Sequence, residues 1–133
     1  PPAVPDYTKL SSSDLIARLG SKVAADAHLA WQTLADRRAE EATSAALFAI
    51  AGDASAPAAR RIQALWVLGE HGQKIGPLAE RLLADSNRNI RREAVNALRH
   101  LGAWSPHFEA LAALYPRFVE GTLPPSAGYV VKL

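Results

Sequence analysis

The 133-residue chain contains no cysteine and no methionine. Without cysteine there can be no disulfide, thiolate metal site, cysteine nucleophile or covalently attached haem within it, although the redox compartment stays open. The missing methionine and the Pro1-Pro2 start lead us to expect a piece of a longer or processed protein. Strong charge of one sign is also lacking. A formal net charge of +2 is a weak basic bias beside the patterned stripe of a dedicated nucleic-acid binder. No apolar run approaches the roughly 20 residues needed to cross a bilayer, and no signal-peptide pattern opens the chain. What is present is a 49% hydrophobic content, enough for a continuous core at the usual size of one domain.

The opening "PPAVPDYTKL" has three prolines, which remove backbone donors and bias their predecessors away from helix. Residues 1–10 are therefore expected to be an extended linker that packs little. Ser11 and Asp14 fit a capping box, Leu15, Ile16 and Leu19 form an apolar stripe, and Gly20 is a natural stop, which predicts a short first helix. Three-to-four spacing of apolar residues predicts further helices at about 22–38, 40–51, 56–71, 75–84 and 87–101, with Pro57 and Pro77 admitted in first turns. A seventh helix can begin at Ser105. The segment "PRFVEGTLPPSAGYVVKL" has three prolines and two glycines, which oppose helix. It is expected to be an extended tail, 115–133, ending in a short "YVVKL" strand.

The helices pair as hairpins at about 11–38, 40–72 and 74–102, followed by half a unit. "RRIQALWVLGEHG" and "RREAVNALRHLG" align Arg61 with Arg91, Ala64 with Ala94, Leu65 with Val95, Leu68 with Leu98 and Gly72 with Gly102. Ala30 and Leu34 occupy comparable places in the first unit. Such periods belong to helical-repeat proteins, whose hairpins cannot bury their apolar faces alone and therefore stack. Small alanines allow close approach and leucines fill the seam.

"ADSNRNIRREAVNALRHLG" resembles the HEAT-like repeat pattern, in which an Asp ends the inter-helix turn and an aliphatic-Arg pair opens the second helix, followed by Ala and Leu. Asp85, Ile90, Arg91, Ala94 and Leu98 stand in those places. Asp53, Arg61, Ala64 and Leu68 match with two extra residues in between, whereas Ala27 stands where the first unit would have its Arg. The resemblance implies an all-α solenoid of about three and a half hairpins over 11–114. More narrowly, "DYTKLSSSDLIARLGS" with "RRIQALWVLGEHG" is similar to solenoid segments of large bacterial proteins that join a quinoprotein-dehydrogenase-like β-propeller to a c-type haem domain. That likeness implies a spacer between redox modules, in the cell envelope or periplasm.

Arg61 and Arg91 fall in register. They could belong to an anion-binding ladder, but the repeat pattern implies that they tie down turns through Asp53 and Asp85. Arg88, Arg92 and Arg99 are freer candidates for a partner surface, set against the ordinary alternative of a solvated helix face. Trp31, Trp66 and Trp104 could stack on a base, as in the HEAT-like DNA glycosylases for alkylated bases, yet aromatics commonly fill gaps between helices. For Trp66, on a nearly all-apolar turn, both readings stay open: filling a core gap or marking a contact surface. His28, His71, His100 and His107 lack metal-binding spacing, and "GEHG" and "GDAS" lack the strand–loop–helix setting of a phosphate loop. No catalytic constellation assembles, and fold alone does not support a bilin-lyase-like activity. The expected function is a non-catalytic scaffold for protein or for adjacent domains of the same chain, without cofactor or metal. Stacked second helices would offer Arg88, Arg92, Arg99 and Trp66 on a concave face. A nucleic-acid-binding or DNA-repair module is the main alternative, and a pigment-lyase-like enzyme the other.

Overall fold

The computed structural model describes residues 5–101, and these are all-α: six α-helices and one short 3-10 helix, with no strand among them. The described residues form two compact units, divided between Gln73 and Lys74. The seventh helix, the terminal strand, Gly102, Trp104 and His107 lie outside the described residues.

In the first unit the 3-10 helix Tyr7–Lys9 precedes α1 (Ser12–Arg18), α2 (Ala24–Asp36), α3 (Glu41–Gly52) and α4 (Ala58–Glu70). Helix α1 packs on α2 and α3 on α4, giving two hairpins; α2 also packs on α4 and α1 touches α3, so like faces like across the pair. The shared seam follows from side-chain periodicity. Ala27, Ala30 and Leu34 of α2, Leu47 and Ala51 of α3, and Ala64, Leu65, Val67 and Leu68 of α4 are all buried. Ala30 and Ala64 are wholly buried, which leaves space for backbone approach and for the leucines four residues later.

The ends of these helices obey local chemistry. The Ser11 hydroxyl accepts from the Asp14 amide at 3.0 Å, one half of the expected capping box. Gly72 closes α4 with φ of +67°, where the Gly72 amide donates to the Gly69 carbonyl and the Gln73 amide to that of Leu68, a Schellman arrangement. Pro57, expected inside the first turn, instead stands just before α4 with extended ψ of 141°, so the helix starts one residue later.

Residues 7–10 do not behave as a segment that packs little. Arg37, at the end of α2, donates to the carbonyls of Tyr7 at 3.3 Å and Thr8 at 3.2 Å, to that of Leu10, and to the Ser12 hydroxyl at 3.2 Å. The Tyr7 hydroxyl donates to Asp26, which also pairs with Arg18 at 2.9 Å. Proline composition predicted an extended entry; a distant guanidinium ties it down by satisfying carbonyls that no helix uses.

In the second unit α5 (Gly76–Leu82) packs on α6 (Arg88–His100). Its buried set is Ile75, Leu78, Ala79, Leu82 and Leu83 with Ile90, Ala94, Val95, Ala97 and Leu98. The Asn87 side chain caps α6, accepting from the amides of Asn89 at 2.8 Å and Ile90 at 3.3 Å. Helices α2, α4 and α6 each have 13 residues. The aligned alanines Ala30, Ala64 and Ala94 are each fully buried, and Leu34, Leu68 and Leu98 nearly so.

Candidate interaction surface

Helix α6 places its cations according to its turn of about 100° per residue. Arg88, Arg92 and Arg99 fall within about 40° of one another and span roughly 16 Å along the axis. All three are exposed, and the apolar side of the helix is turned inward. They form one row of guanidinium groups on a rigid support, each able to grip a carboxylate or phosphate through two parallel hydrogen bonds.

Arg91, next in sequence, is used differently. Its Nη1 donates to the carbonyls of Asp85 at 2.8 Å and Ser86 at 3.1 Å, while the Asp85 carboxylate accepts from the Asn87 amide at 2.9 Å. Arg61, at the matching place of α4, is only 3% exposed and donates from Nε to the Ala51 carbonyl at 3.1 Å, at the end of α3. Both guanidinium groups thus bind main-chain carbonyls at the hairpin turn. The Asp53 carboxylate accepts from the Ser55 hydroxyl at 2.6 Å and the Ser55 amide at 2.9 Å. Those bonds, with a smaller contribution from the Arg61 charge, hold it below the usual carboxylate range.

Trp66 lies on the first unit and is 40% exposed. Its ring meets that of Trp31 edge-on at 5.3 Å, and His28 meets Trp31 in the same manner at 5.7 Å. Trp31 is half-buried and His28 exposed, so the three rings make a continuous aromatic strip along α2 and α4. Such edge-to-face pairs suit the ring quadrupoles. The indole of Trp66 is therefore held in place by a neighbour.

His71 is committed to the fold: its Nε2 donates to the Leu34 carbonyl at 2.8 Å. Its Nδ1 is buried without a partner among the described residues. His100 is exposed at the end of α6, where positive character suits the helix dipole. Among the described residues no group of three histidine or acidic side chains converges as a metal site, and no helix is long and apolar enough to cross a membrane.

Sequence reasoning missed the structural arginines Arg37 and Arg60. Arg60 donates from Nη1 to the carbonyls of Ile16 at 2.6 Å and Leu19 at 3.3 Å, closing the end of α1. Arg37 lies outside the repeat pattern and Arg60 stands opposite Ile90, a place the pattern gives to an aliphatic residue, so periodicity carried no signal for these roles. It also missed a cavity of about 430 Å³ beside α3, lined by Ala39, Glu40, Glu41, Ser44, Ala45, Phe48 and Gln73. Comparison of the chain with protein-family models, curated proteins and solved structures found no match.

Proposed function

We propose that the chain is a HEAT-like helical-repeat module that holds an acidic polypeptide by surface contact and performs no chemistry on it. The exposed row of Arg88, Arg92 and Arg99 on one stripe of α6 is the observation that carries this reading. A row of fixed cations is energetically favourable against carboxylates at matching spacing, and it steers association through long-range attraction. The HEAT-like assignment is supported by the recurrent Ala and Leu positions, by the 13-residue second helices, and by like-on-like packing of the two hairpins in the first unit. Trp66, braced by Trp31, is the contact we assign to the first unit.

The test uses fluorescence anisotropy of a labelled glutamate-rich peptide and its glutamine counterpart with the whole chain. The acidic peptide should bind and the neutral one should not, with affinity falling as salt rises. Replacing the three arginines together by glutamine should weaken binding about tenfold, since each exposed pair contributes roughly 0.2–1 kcal/mol. Unchanged affinity in that variant would overturn the reading. Salt-sensitive binding of duplex DNA at micromolar protein, without binding of the acidic peptide, would transfer the surface to nucleic acid.

A further inference from the structure

The intervals between Arg88, Arg92 and Arg99 carry more information than their charge. Four and seven residues of α-helix advance about 6 Å and about 10.5 Å, and each is close to a whole number of turns. Three side chains unevenly spaced along α6 therefore stay on one stripe. Asn89, exposed, and Asn96, half-buried, flank that stripe with neutral amides, and Glu93, the one acid of the helix, lies about 100° or more around the axis. None of the three arginines makes an ion pair or side-chain hydrogen bond among the described residues, whereas Arg91 is spent on the Asp85 and Ser86 carbonyls. The first turn of α6 also holds no acid, so Arg88 adds its charge to the positive end of the helix dipole, an arrangement that its own fold does not reward.

We infer, resting on the reading of this row as a docking surface for acidic polypeptide, that the partner docks as an α-helix lying along α6, with carboxylates at four- and seven-residue intervals. A helix laid alongside repeats the same two intervals, as i, i+4, i+11 in the parallel direction and i, i+7, i+11 in the antiparallel one. Each carboxylate then meets one guanidinium with both hydrogen bonds intact. Other regular conformations lack this match. An extended strand returns to one face every 6.7 Å or so, which suits Arg88 and Arg92 but misses Arg99 by about 3 Å or more in either direction. A polyproline helix returns about every 9 Å and misses Arg92 by about 3 Å. Arginine stems can swing to recover such a mismatch, but only by giving up the paired hydrogen bonds and further rotamer freedom.

Fluorescence anisotropy with the whole chain at low salt, using three labelled peptides of equal length and charge, tests it. The first is alanine-rich with glutamates at i, i+4, i+7 and i+11, which serves both directions. The second has the same residues with its glutamates at alternate positions. The third keeps the spacing of the first but carries a central proline pair that breaks the helix. The first should bind about fivefold more tightly than either of the others, because each of those forfeits most of two exposed pairs. Its ¹³Cα shifts should move to helical values on binding. In the variant combining Arg88→Gln, Arg92→Gln and Arg99→Gln the preference should vanish. Equal affinities, or extended-chain shifts in the bound peptide, overturn the helical partner and leave the acidic-polypeptide reading standing. Absence of binding by all three overturns both. Self-association of the chain that is abolished in the triple variant and untouched by the first peptide assigns the row to a second copy, and likewise overturns the inference.

Discussion

Two glycines with left-handed backbone show how much a single residue can carry. Gly20 has φ of +72° and Gly72 +67°. A side chain costs roughly 1–2 kcal/mol in that region at either place. At Gly20, however, a Cβ would also lie 2.6 Å from the Arg60 backbone nitrogen, whereas at Gly72 it would meet nothing within 4 Å. Gly20→Ala should therefore lower stability in urea clearly more than Gly72→Ala, and equal losses would contradict the close approach of α4 to the end of α1. Both glycines could be identified in the sequence as helix stops. The collision at Gly20 could not, because its partner is forty residues away.

Tyr7 and Asp26 make a second pair whose effect is read through pH. The hydrogen bond from Tyr7, helped by Arg18 and Ser21, holds the Asp26 carboxyl below its ordinary range. The folded-state value being depressed, the stabilisation is present above the unfolded value and is lost as pH falls through the folded one. The same bond, together with burial, raises Tyr7 above its ordinary value of 10.0, so its contribution is complete below pH 10 and is lost as pH rises through the folded value. Stability curves of Asp26→Asn and Tyr7→Phe should converge with the parent curve at the acid and alkaline ends respectively. Parallel curves across the range would exclude this coupling.

At the scale of elements, packing and surface positions should separate sharply. Ala64 and Ala94 are fully buried at equivalent places of α4 and α6, and a leucine at either must displace neighbours, costing about 1–3 kcal/mol. Arg92→Ala, on the exposed side of α6, should stay within about 0.5 kcal/mol of the parent. Equal losses in melting temperature would refute the division. Arg37→Ala should free the 3-10 helix, visible as faster hydrogen exchange at residues 8–10, and cost about 1–3 kcal/mol because several carbonyls lose a charged donor at once. The hairpin elements were legible beforehand because apolar spacing, caps and glycine stops are local signals. The hold on residues 7–10 was not, since proline content says what a segment cannot do and nothing about which distant side chain will grasp it.

For the molecule as a whole, charge and fold are separable. Exchanging Arg88, Arg92 and Arg99 for glutamine reverses the sign of the formal net charge of +2, while removing no buried group. The melting temperature should change little while binding of the acidic peptide weakens about tenfold, the separation expected of a docking surface. The sequence by itself determined the all-α class, the paired helices and the recurring alanine-leucine positions, because these depend on periodicity within a few turns. Tertiary structure alone decided which arginines serve the fold and which face solvent: Arg37, Arg60 and Arg61 found unsatisfied carbonyls, whereas Arg88, Arg92 and Arg99 met none among the described hydrogen bonds. Identical side chains received different roles because a buried carbonyl must be satisfied, and only the folded chain determines where such carbonyls lie.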